Sequence, residues 1–216
     1  MITIYAAYNF PPFLKGIVRD LRPIWAAEEL GIAYDIHWLD TPKGAHREPG
    51  YRRINPFGKI PAMTDGEVSL FESGAIVNYL FDKAGRNPKD DAARARNLAW
   101  CFAAVNTVEP QTFEVLLYDT FWKERPNRDA FRAERVDSAK LRMNEMNAAL
   151  GDEPYLTGSD IAPADIMMTT VVNFARNAPE IMADAPRVAD WLARCTERPA
   201  YKRATGLQGV GPKKAA

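Results

Sequence analysis

The chain has 216 residues, of which 47% are hydrophobic and 26% are charged, a composition typical of a globular protein with a buried core. Its length fits one large domain or two small ones. Lys and Arg together number 28, as do Asp and Glu, so the charge balance gives no sign of nucleic-acid binding. The sequence contains only two histidines, which excludes a metal site built mainly from histidine.

The N-terminus and the cysteines bear on the compartment. The first ten residues, MITIYAAYNF, lack the basic region of a secretory signal peptide. The longest apolar run, residues 98–105, is far too short to cross a membrane. Cys101 and Cys195 form no disulfide framework, which suits a reducing compartment. We therefore expect a cytoplasmic protein that has no membrane or nucleic-acid partner and binds no metal.

The N-terminal part of the chain alternates between strand and helix patterns. Short β-branched and aromatic runs predict strands, and apolar residues three or four positions apart predict helices. Gly31 is expected to end the first helix, and the Asp65-Gly66 step to form the turn of a hairpin. The predicted strands are residues 2–7, 33–39, 60–63 and 67–71, and the predicted helices are residues 17–30 and 72–83. A β-α-β unit followed by a hairpin and a helix implies an α/β layer with a mixed sheet.

The pattern changes to helix alone after a short linker. Gly, Asn and Pro cluster between residues 85 and 90, which separates a first domain, residues 1–84, from a second, residues 91–216. Helical periodicity covers residues 97–118, with a kink expected at Pro110, and returns at residues 136–150, 166–174 and 188–195. The second domain is therefore predicted to be a helical bundle. The tail, residues 206–216, is predicted to fray.

Two segments of the first domain carry the pattern of a binding site. Pro61 opens a predicted strand and cannot donate to its ladder, so it belongs at an edge or in a cis turn. The backbone of Ile60 before it could pair with an extended ligand as if with a strand. Downstream, Glu72 and Ser73 open a helix, whose free N–H groups suit a carboxylate while Glu72 suits an ammonium. A zwitterionic amino-acid head on a short extended peptide would satisfy both segments, and glutathione has that shape.

Four stretches taken in order resemble the cytosolic glutathione S-transferases. They are WAAEELGIAYDIHWLD, NPFGKIPAMTDGEVSLFESGAIVNYL, YLTGSDIAPADI and a late RPAY. The resemblance covers nearly the whole chain. It implies a thioredoxin-like α/β domain, a linker and an all-helical domain that supplies an electrophile pocket and dimer contacts. It also implies glutathione as co-substrate, a small electrophilic second substrate and a homodimer packed through the long helix from Asp91 and the partner's first domain.

The resemblance further implies roles for individual residues. Ile60 would pair its backbone with the cysteinyl part of glutathione before a cis Pro61. Glu72 and Ser73 would hold the γ-glutamyl group. The residues expected near the glycyl carboxylate are Lys59 and His46.

The sequence departs from the family at the position that activates the thiol. The Ser, Thr or Cys that the family often carries near the first strand–helix junction is replaced by Ile17, Val18 and Arg19. Arg19, at the start of the first helix and ahead of a predicted N-cap Asp20, and Tyr8, the only hydroxyl in the preceding loop, are the two candidates for stabilising the thiolate. Arginine stays charged at any relevant pH and offers several donors.

Two further features of the sequence concern the second substrate and the helical domain. Phe10 and Phe13 lie in a Pro-flanked loop that cannot easily bury both rings, so we expect them to line the electrophile pocket. In the helical domain, Ala162 stands where the family often has Ser or Thr three residues before Asp165. Half of a capping box is lost, at a cost of about 1 kcal/mol.

Three functions remain open from the sequence. The first is a transferase that ionises the glutathione thiol and directs it at an electrophile. A second is a glutathione-dependent reductase of peroxides or disulfides, which uses the same thiolate. The third is a protein-interaction module without turnover, which the missing hydroxyl keeps open. No cysteine precedes Cys101, so a cysteine nucleophile in the first domain is excluded.

Overall fold

The computed structural model describes residues 1–212, and its contacts divide them into two compact units. The first contains Met1–Asn87 together with the residues from Arg198 onward, and the second is Pro88–Glu197. The sequence pattern predicts that all of residues 91–216 belong to the helical domain. The difference arises because the last helix packs on the first helix of the N-terminal unit.

The first unit is built on a four-stranded mixed sheet with strand order β2-β1-β3-β4. β1 pairs in parallel with β2, whereas β3 is antiparallel to both β1 and β4. The helices α1 and α3 pack together, and their apolar faces bury Trp25, Ile76 and Phe81. The elements of this unit are β1 (Ile2–Tyr8), α1 (Leu21–Leu30), β2 (Tyr34–Asp40), α2 (Pro49–Arg52), β3 (Ala62–Asp65), β4 (Val68–Phe71), α3 (Ser73–Lys83) and α9 (Pro199–Leu207). The predicted thioredoxin-like layer is confirmed.

The second unit is entirely helical, as the periodicity predicts. Its elements are α4 (Asp91–Ala103), a π-helical segment (Ala104–Val108), α5 (Glu109–Thr120), α6 (Arg128–Leu150), α7 (Pro163–Val172) and α8 (Pro186–Glu197). The single helix expected over residues 97–118 is interrupted by the π segment, and Pro110 lies in the first turn of α5, where its missing N–H costs little. At the start of α7, the Asp165 carboxylate accepts the Ala162 N–H at 2.9 Å, so the half of the capping box that the sequence retains is formed.

The prediction that residues 206–216 fray is wrong for the part that the structure describes. α9 runs to Leu207, and Gln208 is only 2% exposed. Tyr201 meets the ring of Trp25 edge-on at 5.0 Å between centroids, and the Arg203 guanidinium pairs with the Glu28 carboxylate at 2.6 Å. These contacts fix α9 on α1. Residues 213–216 lie outside the described chain.

Candidate active site

The turn before β3 has the conformation that the sequence predicts. The Ile60–Pro61 peptide is cis, and the sheet ladder begins one residue later, at Ala62. The carbonyl of Lys59 accepts hydrogen bonds from the Tyr51 hydroxyl at 2.6 Å and from the Asn55 side-chain amide at 2.7 Å. The side chains of Tyr51 and Asn55 therefore fix the turn through the Lys59 carbonyl. Ile60 is half-buried and lies just outside the ladder.

The strand register brings this turn and the start of α3 to one end of the sheet. Ala62 lies opposite Phe71, so the residues that flank this pair, Pro61 and Glu72, emerge at the same end. β1 runs antiparallel to β3, which places its last residue, Tyr8, at that end as well. Three of the predicted site segments thus converge, although they are far apart in the sequence.

The start of α3 has one residue suited to a bound carboxylate and one suited to a bound ammonium. Glu72 is exposed, whereas Ser73, the first residue of the helix, is 5% exposed. The Ser73 Oγ accepts a hydrogen bond from the Arg22 guanidinium at 3.0 Å, and Arg22 itself is 1% exposed. Because the Ser73 oxygen is the acceptor in this bond, its own hydrogen remains able to donate to a ligand carboxylate. This helix start can hold a carboxylate beside the ammonium partner Glu72.

The Tyr8 hydroxyl has a partner of its own. Tyr8 is the last residue of β1 rather than part of a loop, and the interpretation of an extended loop there is wrong. The parallel register sets it opposite Asp40, whose carboxylate accepts the hydroxyl at 3.2 Å and also pairs with Lys43 at 3.3 Å. Desolvation opposes ionisation of Asp40, but the bonds from Lys43 and Tyr8 prevail and hold its pKa below the usual value. Asp40 is therefore charged at neutral pH and fixes the Tyr8 donor.

Arg19 lies half-buried just ahead of α1, which begins at Leu21 rather than at residue 17. Asp20 stands at the N-cap position but does not cap the helix. Its carboxylate instead accepts the Ala7 N–H at 2.7 Å and the Gln208 side-chain amide at 2.6 Å. Asp20 is fully buried, and desolvation raises its pKa to about 6. The Arg22–Ser73 bond joins α1 to the start of α3, and Arg19 lies three residues before Arg22.

The other predicted site residues are those expected near the glycyl carboxylate, His46 and Lys59, and those expected near the electrophile, Phe10 and Phe13. His46 lies in a 3-10 turn, and its buried Nδ1 has no hydrogen-bond partner among the described residues. Burial and the charges of Arg47 and Lys59 lower the pKa of His46, which leaves the exposed Lys59 as the cation of this pair. Phe13 is 46% exposed, while Phe10 is half-buried.

Several residues that support the site escaped the sequence analysis. The sequence does signal Asn55, because an Asn-Pro step is typical of a turn. In the structure its side chain also accepts the Phe57 N–H at 3.1 Å. Tyr51, Arg22 and Gln208 carry no such local signal. Within residues 1–212 no group of three or more His, Cys, Asp or Glu residues is arranged to hold a metal, and no helix there is long and apolar enough to span a membrane.

Comparisons with known proteins agree with this architecture. The model of the family described as glutathione S-transferase, N-terminal domain, matches residues 21–83. Disulfide-bond oxidoreductase YfcG of Escherichia coli is 32% identical over 186 residues, covering 82% of this chain and 85% of that protein. Glutathione S-transferase 4 of Zea mays is 26% identical over 199 residues, 88% of each chain.

A solved structure extends the similarity to three dimensions. The theta class glutathione S-transferase from the citrus canker pathogen Xanthomonas axonopodis pv. citri, determined with glutathione bound, is 30% identical. It superposes with a TM-score of 0.78, covering 97% of this chain and 99% of that one. On this evidence the chain is an enzyme of the glutathione S-transferase family.

Proposed function

We propose that the chain binds glutathione as a thiolate at the converging end of its sheet and transfers it to a small electrophilic molecule. The observation that carries the proposal is the register that brings the Ile60–Pro61 turn beside Glu72 and Ser73. Ile60 would pair with the cysteinyl backbone and the α3 start would hold the γ-glutamyl zwitterion. Lys59, with the neutral His46 nearby, would face the glycyl carboxylate, and Phe10 and Phe13 would contact the electrophile.

Titration calorimetry with glutathione tests the head-group site. Glu72→Ala removes the ammonium partner and Ser73→Ala removes a hydroxyl donor. Each charge-assisted bond is worth about 1.5–3 kcal/mol, so glutathione affinity should fall at least several-fold in either variant. Glu67→Ala, which deletes an exposed carboxylate in the β3–β4 turn, is the matched control and should bind normally. Unchanged affinity in both site variants would refute the assignment.

Arg19 is our candidate for stabilising the thiolate. An arginine offers several donors from one side chain, whereas the single Tyr8 hydroxyl donates to Asp40. Arg19→Ala should raise the pKa of the bound glutathione thiol by about a unit, equivalent to about 1.4 kcal/mol. Thiolate absorbance during a pH titration measures this pKa. The reverse pattern, a shift in Tyr8→Phe and none in Arg19→Ala, would assign the role to the tyrosine.

A second candidate activity is glutathione-dependent reduction of disulfides or peroxides. Its support is the 32% identical relative named as a disulfide-bond oxidoreductase. Parallel assays with a chlorodinitroarene, a glutathione mixed disulfide and a peroxide distinguish conjugation from reduction. Glutathione binding without turnover of any of the three would favour the interaction module.

Assembly and compartment complete the proposal. We expect a symmetric homodimer packed through α4 and the partner's first domain. Leu98 and Phe102, one turn apart on α4, are 46% and 62% exposed, which supports an apolar contact there. Cys101 and Cys195 are buried and form no disulfide, which suits function in a reducing cytoplasm.

A further inference from the structure

The segment that follows α9 returns to the candidate active site. Gly209 forms a parallel β-bridge with Tyr8, the last residue of β1. Gln208, immediately before it, is 2% exposed, and Gly211 is buried. Residues 208–211 therefore lie along the end of β1, at the edge of the proposed glutathione site, although the sequence gives them the composition of a loose tail.

One side chain in this segment holds the loop that enters α1. The Gln208 Oε1 accepts the Gly16 N–H at 2.6 Å. Its Nε2 donates to the Val18 carbonyl at 2.8 Å and to the Asp20 carboxylate at 2.6 Å. A glutamine amide is suited to this position because it supplies an acceptor and two donors from one planar group. Two of its three partners, Val18 and Asp20, are the residues that flank Arg19.

The glycines beside Gln208 fit against the aromatic rings at the same place. A β-carbon on Gly209 would lie 2.9 Å from the Phe10 ring, and one on Gly211 would lie 3.0 Å from the Tyr8 ring. Both glycines have positive φ, 76° and 78°, which strains other residues. The backbone thus approaches both rings more closely than a side chain would permit.

We propose that Gln208 is a positioning residue for the glutathione thiol: by bonding to both neighbours of Arg19, it fixes the direction from which that arginine meets the thiolate. The inference rests on the proposed function. Gln208 touches none of the groups assigned to the γ-glutamyl or glycyl ends of glutathione. Its loss should therefore impair ionisation and turnover far more than binding.

The test compares Gln208→Met with a matched control in the same element. Gln208→Met keeps the length of the side chain and removes its three side-chain hydrogen bonds. Arg203→Met breaks the pair with Glu28 and loosens α9 on α1 without touching the loop. We expect Gln208→Met to raise the pKa of bound glutathione by about a unit and to lower kcat at neutral pH several-fold, with KM for glutathione within about twofold. Arg203→Met should lower the melting temperature and leave that pKa unchanged.

A charge-exchanged pair separates positioning from a general loss of structure. Gln208→Glu sets a carboxylate against that of Asp20 and should raise the thiol pKa. Adding Asp20→Asn restores the hydrogen bond between residues 20 and 208 and the net charge of the original chain, but not the bond to the Val18 carbonyl, and should return the pKa part of the way. This pair also answers the question if Gln208→Met does not fold.

The outcomes are distinct. A thiol pKa in Gln208→Met no higher than in Arg203→Met, or one in Gln208→Glu that matches the unmodified chain, would overturn the positioning role. If the unmodified chain binds no glutathione, the proposed function fails instead.

Discussion

Replacement of Asp165 by alanine is expected to lower the free energy of unfolding by about 3–5 kcal/mol, or to prevent folding of the helical unit altogether. The side chain is wholly buried, and its carboxylate accepts three hydrogen bonds of 2.9 Å, from the Leu156 N–H, the Ala162 N–H and the Trp191 indole. Each buried donor left without an acceptor costs about 1–3 kcal/mol, and the lost side chain adds a cavity.

Urea unfolding followed by circular dichroism measures this loss. Asp160→Ala removes an exposed carboxylate five residues earlier and should change the free energy of unfolding by less than about 0.5 kcal/mol. The loss of free energy of unfolding in Asp165→Asn should lie between the losses in Asp165→Ala and Asp160→Ala. An amide keeps the volume and one acceptor of the carboxylate, but its NH₂ group faces other donors. A loss below about 1 kcal/mol in Asp165→Ala would mean that water or repacking satisfies these groups.

Asp20 should give the protein an unusual pH dependence of stability. Desolvation raises its pKa to about 6, against about 3.9 in an unfolded chain. Below pH 4 Asp20 is protonated in both the folded and the unfolded state. Between pH 4 and 6 it is protonated only in the folded state. The free energy of unfolding therefore falls as pH rises through this interval, by about 3 kcal/mol in all, and the contribution is constant above it.

The comparison with Asp20→Asn isolates this effect. Other carboxyl groups, including the buried Asp165, whose pKa is also raised by desolvation, titrate alike in both proteins and cancel. Between pH 4.5 and pH 7 the difference in free energy of unfolding, original chain minus variant, should decrease by about 2 kcal/mol. A difference that stays constant would show that the hydrogen bonds from Ala7 and Gln208 keep the carboxyl ionised throughout.

The sequence predicted those parts of the molecule that local patterns determine. The Asp65-Gly66 turn and the helix predicted over residues 72–83, which begins at Ser73, follow from the chemistry of adjacent residues. For Pro61 the adjacent residues indicate an edge or a cis turn, and only the family resemblance implies the cis form that the structure has. The convergence of these segments follows from the β-α-β-β-α order, because that order leaves few topologies.

The parts that were missed depend on contacts between distant residues. The neighbouring residues predict that Asp20 caps α1. Its carboxylate instead accepts a buried hydrogen bond from Gln208, 188 residues away. The sequence pattern predicts that the first strand ends at residue 7 and leaves Tyr8 in the following loop, whereas pairing with β2 extends β1 to include it. Fraying of residues 206–216 is predicted from their place at a chain terminus, whereas Gly209 and Gly211 pack against the rings of Phe10 and Tyr8.

The π-helical segment determines where the helix pair α4 and α5 can lose a residue. Between Ala104 and Val108 the turn is wider than in an α-helix, so the segment holds one residue more than regular winding would. Deleting one of these residues would restore regular α-helical winding and leave the faces of α5 nearly where they are, because the wide turn already absorbs the extra residue. Deleting one residue from the regular part of α4 would instead rotate α5 by about 100° relative to the start of α4. The buried face of α5, which includes Thr112, Val115 and Leu116, would then turn away from the core. Loss of one residue is therefore better tolerated in the π segment than in the α-helical turns on either side of it.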